Sequence, residues 1–337
     1  MLWGDYGSGK THMLEATEQL ALERGFAVAR LTLDPSEQAL HHPLRLYRSI
    51  MASVRTLGQA TPGFEPIFEE LADNASHRDP AGEHASRFFS PYLHALHAGD
   101  LEAIGWLRDY VGGDRMDSSD VNRVLGNLGW RGARVLAMSD FRTYGRMYVH
   151  LVGTLASWCA DAGHRGLVLL FDEVERVDAL SFSNQDYAFE VLRHFAAVTM
   201  DPKDLAFDPE GLYKGGHAVH KKIPLRFRPD QPLVSVFALT PLEKIERAFS
   251  TVTSSPEYDV LLEPLARASL PILVERIGTL YETAYPGFEV SPPLIARIAG
   301  ELEDALDDGH DRFRDAVRAT VFLLDGERCK GAGRTSA

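Results

Sequence analysis

Residues 4–11 read GDYGSGKT and match the pattern G-x-x-x-x-G-K-[ST] at every defined position. Glycines in such a loop let the backbone adopt positive φ and turn its N–H groups toward an anion. The spacing places Lys10 to reach the β- and γ-phosphates of a nucleotide and the Thr11 hydroxyl to ligate Mg²⁺. The sequence thus predicts a phosphate-binding loop whose nucleotide contacts come from Gly4, Asp5, Tyr6, Gly7, Ser8, Gly9, Lys10, Thr11 and His12.

A helix is predicted directly after this loop, in the segment THMLEATEQLALERG. Leu14, Ala21 and Leu22 fall broadly on one side of it, and Gly25 is a natural C-terminal stop. The positive end of a helix favours phosphate. A chance glycine-rich turn is the alternative, and the complete match together with the following helix argues against it.

The strand that should lead into the loop is short in this sequence. Only Met1, Leu2 and Trp3 precede Gly4, whereas a typical strand has about five residues. We therefore expect the first strand to be truncated here, and the natural protein to begin further upstream.

A second motif follows at residues 166–173, which read GLVLLFDE. The continuous apolar run from Leu167 to Phe171 is typical of a parallel strand covered on both faces. Asp172 at its end suits a metal-holding role, and Glu173 suits a general base that activates water. A core strand that merely ends in surface acids is the alternative. With the loop upstream, the pair of acids favours nucleotide hydrolysis.

Two further strands complete the predicted core. FAVARLTLDPSE (26–37) reads as a strand leading into a turn, and LVSVFAL (233–239) reads as another. The guanine-reading motif N-K-x-D is absent from the sequence, which favours ATP over GTP. We predict an α/β fold of the P-loop NTPase type, with a parallel sheet flanked by helices.

Four segments together resemble a known family. GDYGSGKTHML, LTLDPSEQALHHPLRLYRSIM, LLFDEVE and VFALTPLE resemble the AAA+ ATP-binding proteins of bacterial BREX-type phage-defence clusters (the BrxC/BrxD-like ATPases). That group is similar to the replication-initiator and helicase-loader branch of AAA+ proteins. HHPLRLYRSI and FALTP narrow the resemblance, because the other motifs are generic to P-loop ATPases.

The resemblance implies two further site residues. In such proteins a polar residue at the end of the third strand senses the γ-phosphate, and Thr240 occupies that position. A helical lid contributes an arginine to the phosphates, and Arg314 falls in the arginine position of GHDRFRDAVRATVFLLD (309–325). Phe313 replaces the usual proline, so Arg312 is an alternative. Both arginines can also be solvated residues of a charged helix face.

The pattern along the chain predicts four parts. Residues 1–58 and 151–250 form the nucleotide-binding core, and 59–150 form a helical insertion. Residues from about 256 turn wholly helical and form the lid, 256–326, followed by a flexible tail, 327–337. Residues 201–232 interrupt the expected link from helix to strand as a long loop.

Composition limits the class of protein. The chain has 337 residues and a net charge of −13, which argues against a uniformly basic nucleic-acid binder. Its two cysteines, Cys159 and Cys329, exclude a disulfide framework and a thiolate zinc cluster. No apolar run approaches the roughly 20 residues of a membrane span, and no signal peptide is visible. We predict a cytoplasmic protein without a membrane partner.

Other binding roles rest on local clusters. DNA binding is possible through the loop 214–228, which carries five basic residues and no acid, with Tyr213 nearby to stack on a base. A solvated loop is the alternative. The histidine pairs at i, i+3 spacing have no nearby acid or cysteine in a ligand-like pattern, so packed or surface histidine is the better interpretation. The basic residues of the loop are Lys214, Lys221, Lys222, Arg226 and Arg228. The paired histidines are His94 with His97 and His217 with His220.

The sequence therefore predicts an ATPase of the AAA+ class. ATP and Mg²⁺ would bind with Thr11 and Asp172 as metal ligands, and Glu173 would activate water. The energy would drive remodelling or loading of a protein partner or a DNA-bound complex, in phage defence. If the chain forms a homo-oligomeric ring, Arg247 is the first arginine-finger candidate and Arg176 the second. A slow regulatory ATPase switch and a non-hydrolysing scaffold are the rival interpretations.

Overall fold

The computed structural model describes residues 1–35, 40–214, 218, 220–253, 255–263, 265–305 and 312–332. The chain divides into two compact units. The first contains Met1 and Leu14–Tyr258, and the second contains Leu2–Met13 and Asp259–Ala337. The first helix, α1 (Lys10–Glu23), therefore contributes residues to both.

The first unit contains a three-stranded parallel sheet in the order β2 (Ala27–Thr32), β3 (Leu167–Asp172) and β4 (Leu233–Leu239). Ala27 aligns with Leu167 and Leu167 with Leu233, so the three strands start in register. Every residue of β3 is buried, as its apolar run predicts for a central parallel strand. The expectation of a parallel α/β sheet is confirmed, and β3 and β4 span the predicted segments.

Helices make up most of the rest of the first unit. Helix α8 is its most buried helix, with every residue from 145 to 159 buried. Its buried polar side chains bond to backbone carbonyl oxygens, as Arg146, Thr154 and Ser157 show. The helices after α1 are α2 (Pro43–Ser53), α3 (Glu65–Leu71), α4 (Ala75–Arg78), α5 (Ser90–Ala98), α6 (Leu101–Val111), α7 (Ser118–Asn127), α8 (Gly145–Asp161), α9 (Phe182–Thr199) and α10 (Glu243–Phe249).

The segment predicted as a helical insertion, 59–150, contains α3 to α7 and the start of α8. Aromatic rings join it to α8: the Phe68 ring lies 5.2 Å from the Trp158 ring, and the Phe89 ring lies 5.4 Å from it. The Phe89 ring meets Trp158 edge-on and the Phe68 ring meets it tilted, and aromatic pairs favour such inclined contacts over face-to-face stacking. The insertion therefore belongs to the packed core of the first unit.

His150 on α8 gives the first unit a dependence of stability on pH. Burial, and then the nearby Arg146, lower the pKa of His150 from 6.5 to about 4. Between these two pH values the unfolded chain binds the proton that the folded chain excludes, so the stability is present above pH 6.5 and is lost as the pH falls toward 4. We expect the free energy of unfolding to drop by about 2 kcal/mol between pH 7 and pH 5 because of this residue.

Urea unfolding at the two pH values measures this effect in the unaltered protein and in His150→Gln. The variant should lose most of that 2 kcal/mol of pH dependence. His97→Gln is the matched control, since the His97 side chain is half exposed and should leave the dependence as it is. Equal pH dependence in His150→Gln and the unaltered protein would contradict the assignment.

The second unit pairs strand β1 (Leu2–Trp3) in parallel with β5 (Val260–Leu261). Trp3 Nε1 donates to Asp259 Oδ1 at 2.7 Å, and the Leu262 N–H donates to the Trp3 carbonyl oxygen at 2.7 Å. The prediction that the chain turns wholly helical at about 256 is therefore wrong at Val260–Leu261, which form the strand that pairs with β1.

Three helices form the core of the second unit: α11 (Leu270–Ala284), α12 (Pro292–Ala305) and α13 (Arg312–Ala332). Their shared apolar cluster consists of Leu270, Val274, Tyr281, Ile298, Ala299, Leu302, Ala316 and Leu324.

Helix α13 reaches Ala332, so the tail expected from 327 is helical over its first six residues, 327–332. Side-chain contacts explain the longer helix. Glu327 accepts from Arg297 at 2.9 Å, and the Arg328 guanidinium donates to the Tyr281 hydroxyl at 2.9 Å. The sequence-based division also placed residues 1–58 with the core, whereas by compactness residues 2–13 group with residues 259–337.

Candidate functional site

The glycine-rich loop (residues 4–9) connects β1 to α1 in a tight turn. Gly7 and Gly9 have φ values of 77° and 97°, a region that L side chains rarely adopt. A Cβ built on Gly4 would lie 2.5 Å from Ser8 Oγ. The backbone of the turn therefore favours glycine at positions 7 and 9, and Gly4 leaves room for the Ser8 side chain.

Lys10, the first residue of α1, is buried against the glycine-rich loop. Its Nζ donates to the Gly4 carbonyl oxygen at 2.8 Å and to the Asp5 carbonyl oxygen at 3.0 Å. Its exposed fraction is only 8%. The loop thus holds an ammonium group inside its own curve, where a phosphate would meet it.

Two further groups of the glycine-rich loop fit an anionic ligand. Ser8 Oγ is buried and has no hydrogen-bond partner among the described residues, so a ligand oxygen can pair with it. Met13 donates the first backbone hydrogen bond of α1, to the Gly9 carbonyl oxygen at 2.9 Å. The amides before Met13 belong to a helix N-terminus, which attracts anions. Thr11 and His12 lie exposed on this first turn.

Two consecutive residues of α13 contact the glycine-rich loop within the second unit. The Arg314 guanidinium carbon lies 4.6 Å from the centre of the Tyr6 ring. A Cβ built on Gly9 would lie 3.6 Å from Phe313 Cδ1, ordinary contact distance. Phe313, which stands where the lid motif usually has a proline, therefore packs against the loop. The Arg312 side chain lies outside the described part of the structure.

In the first unit, the acids predicted for metal and water lie at the carboxyl end of β3. Asp172 is buried, and its Oδ1 accepts from the Glu173 N–H at 3.0 Å. Glu173 has φ 60° and is the one non-glycine residue with positive φ in the described ranges. Such a left-handed residue costs about 1–2 kcal/mol and often marks a functional turn.

Arg176 holds the Glu173 carboxylate. Its Nε donates to Glu173 Oε2 at 2.9 Å, and its Nη1 donates to Asp34 Oδ2 at 3.2 Å. Arg176, the second arginine-finger candidate, thus pairs with acids of its own chain, and the side-chain hydrogen bond to Glu173 raises its pKa. Arg247, the first candidate, lies exposed on α10.

Glu175 is a further candidate residue, which the sequence motifs alone did not indicate. The Thr240 hydroxyl donates to Glu175 Oε1, and Glu175 Oε2 is buried with no hydrogen-bond partner in the described residues. Thr240 follows β4 and Glu175 follows the neighbouring parallel strand β3, so both belong to the same edge of this sheet. The signal was available in the spacing of DEVE, where the second glutamate follows the first by two residues.

Three of the five basic residues of the loop 214–228 have hydrogen-bond or ion-pair partners within the chain. Lys214 pairs with Glu210 at 2.6 Å, and Arg226 donates to the carbonyl oxygen of Ala197 at 2.8 Å. Arg228 forms two hydrogen bonds to Asp161. Lys221 and Lys222 are the exposed members, so a DNA contact would depend on those two.

This division predicts different effects on stability. Arg228→Ala should lower the free energy of unfolding by about 2 kcal/mol. The partly buried Asp161 carboxylate pairs with Arg228 and His77 among the described residues, and the variant leaves it only His77 of these two. The double variant Lys221→Ala, Lys222→Ala should stay within about 0.5 kcal/mol of the unaltered protein. Urea unfolding at pH 7 measures both, and equal losses would contradict the division.

Three of the four paired histidines, His94, His97 and His220, lie in the described part of the structure. No group of three His, Cys, Asp or Glu residues suited to a metal was found there. His94 contacts the Leu128 carbonyl oxygen, and His97 contacts Asp73. The His220 ring lies 4.2 Å from the Tyr144 ring, and His217 lies outside the described residues.

Comparison with known proteins gives one finding. Residues 1–87 match the family described as BREX system ATP-binding protein BrxC/D. The matched part includes the glycine-rich loop, strand β2, helix α2 and the start of the insertion. The similarity to BREX ATP-binding proteins is thus supported over this part of the chain. Neither the curated proteins nor the solved structures yielded a match. Among the described helices, none combines the length and the apolar character that crossing a membrane requires.

Proposed function

We propose that this protein binds and hydrolyses ATP and uses the nucleotide cycle to remodel or load a partner in BREX-type phage defence. The observation that carries the proposal is the glycine-rich loop, which combines a complete phosphate-binding pattern with a buried Lys10 at a helix N-terminus. The match of residues 1–87 to BREX ATP-binding proteins supports both the ligand and the setting.

The loop residues fit a nucleotide triphosphate. Lys10 would exchange its two carbonyl partners for phosphate oxygens, and Ser8 Oγ would gain a partner. Thr11 would be the first protein ligand of Mg²⁺ and Asp172 the second, an assignment that rests on the sequence pattern. Bound Mg²⁺ would neutralise charge on the phosphate oxygens. In such sites Mg²⁺ usually binds several water molecules and phosphate oxygens besides the few protein groups.

Glu173 is the proposed general base. Its position directly after Asp172 follows the pattern of an apolar strand that ends in two acids, and its left-handed backbone turns it out of the strand. Arg176 would orient its carboxylate. Thr240 would sense the γ-phosphate, and its bond to Glu175 supports a coupling between the ends of β3 and β4.

The remaining machinery follows the AAA+ pattern. Arg314 would meet the phosphates from the lid helix α13. If the chain assembles into a homo-oligomer, Arg247 would act on the nucleotide of a neighbouring copy. Lys221 and Lys222 would provide the DNA contact of the loop 214–228.

ATP hydrolysis measured without DNA, with duplex DNA and with single-stranded DNA tests the proposal, with molecular mass recorded under the same conditions. A loader or remodelling motor is supported if DNA stimulates ATP hydrolysis and this stimulation is smaller in the double variant Lys221→Ala, Lys222→Ala. Steady hydrolysis indifferent to DNA supports a slow regulatory switch. ATP binding without hydrolysis supports a scaffold and would overturn the roles of Glu173 and Thr240.

A further inference from the structure

The start of helix α13 is fixed to the glycine-rich loop by two adjacent side chains of the second unit. Phe313 packs against Gly9, where the backbone conformation disfavours a side chain. Arg314 lies over the Tyr6 ring at 4.6 Å, inside the range of about 6 Å at which a guanidinium is attracted to an aromatic face.

Both partners are held by stable surroundings. Ala316, in the first turn of α13 after Arg314, is buried in the apolar cluster of the three-helix core. Tyr6 lies inside a loop whose turn is set by Gly7 and Gly9. The Tyr6 ring is more than half exposed, so little of its surface is used for packing in the core. Its contact with Arg314 therefore points to a role in placing that side chain.

We propose that Tyr6 is a positioning residue for Arg314. Its ring holds the guanidinium beside the glycine-rich loop, within reach of the γ-phosphate of a nucleotide bound there. This inference rests on the proposed function, because it assigns Tyr6 a role at the same site. It also explains why a bulky residue occupies that position of the loop, where the motif itself sets no requirement.

The role predicts a difference between ATP and ADP. Arg314 would contact the γ-phosphate, which ADP lacks, so loss of the Tyr6 ring should weaken ATP binding selectively. Tyr6→Ala should lower the affinity for ATP about threefold to fivefold, the size expected for an exposed cation–π pair. The affinity for ADP should change less than twofold. Tyr6→Phe keeps the ring and should restore the preference for ATP.

A double-mutant cycle with Arg314→Ala separates positioning from packing. In the Arg314→Ala background, Tyr6→Ala should have no further effect on ATP affinity. Tyr285→Ala is the matched control, because it removes a similar stack, Arg328 over Tyr285 at 4.2 Å, elsewhere in the same unit. That variant should bind ATP as the unaltered protein does.

Titration of each variant with ATP and with ADP, followed by calorimetry, gives a decisive outcome. If the unaltered protein binds ATP while Tyr6→Ala matches it, or while the two substitutions add independently, the positioning role is overturned and the proposed function stands. If Tyr6→Phe fails to restore the preference, the ring is not the group that acts. Absence of ATP binding in the unaltered protein would instead overturn the proposed function.

Discussion

Lys10→Ala is expected to lower the affinity for ATP by about 100-fold. In the unaltered chain the ammonium is buried in the curve of the glycine-rich loop, with Gly4 and Asp5 carbonyl oxygens as partners. When ATP binds, charged phosphate oxygens replace these neutral acceptors. The variant therefore loses roughly two charge-assisted hydrogen bonds to the nucleotide, which together contribute about 3 kcal/mol. Calorimetric titration with Mg²⁺ and ATP measures the change.

The control is Lys222→Ala, which removes the same charge from an exposed site. It should bind ATP within twofold of the unaltered protein. Thermal unfolding must show that Lys10→Ala is folded, since the substitution leaves a small gap beside the loop. A folded Lys10→Ala variant with unchanged ATP affinity would refute the phosphate-binding role of the loop.

Glu173→Gln is expected to reduce the rate of ATP hydrolysis at least about 100-fold, the usual effect of removing a general base. Glutamine keeps the size of the side chain and can still accept from Arg176, so ATP affinity should stay within about threefold. Single-turnover hydrolysis and equilibrium binding measured on the same sample separate the two effects.

Glu175→Gln is the matched control, two residues further along the chain. It weakens the acceptor of the Thr240 hydroxyl and should lower the rate less than tenfold. The reverse order, with Glu175→Gln inactive and Glu173→Gln active, would transfer the role of base to Glu175.

Glu173→Gly gives a second check, because glycine adopts φ near 60° without steric cost. This variant should abolish hydrolysis and raise the free energy of unfolding by about 0.5–1 kcal/mol. A gain in stability that accompanies a loss of activity is the signature of backbone strain kept for function.

Local pattern was sufficient to predict much of the fold. The glycine spacing required the loop, the apolar run 167–171 required a buried strand, and LVSVFAL (233–239) matched β4 to the residue. These features depend on neighbours in sequence, since backbone sterics and strand periodicity act over a few residues.

Features that depend on distant partners could not be predicted. Val260 and Leu261 fall in a segment predicted as helical from its apolar spacing, and only their pairing with β1 makes them a strand. The basic loop was interpreted as a surface for DNA because the sequence does not show that Arg228 pairs with the distant Asp161. In the same way, the sequence neighbours of Tyr6 do not predict its contact with Arg314.

The central claim is that this chain binds ATP through its glycine-rich loop. Its most direct test is calorimetric titration of the unaltered protein with ATP in the presence of Mg²⁺, with Lys10→Ala in parallel. We predict saturable binding of one ATP per chain by the unaltered protein and a shift of about 100-fold in the variant. Absence of binding by the folded, unaltered protein, or equal binding by both proteins, would contradict the claim.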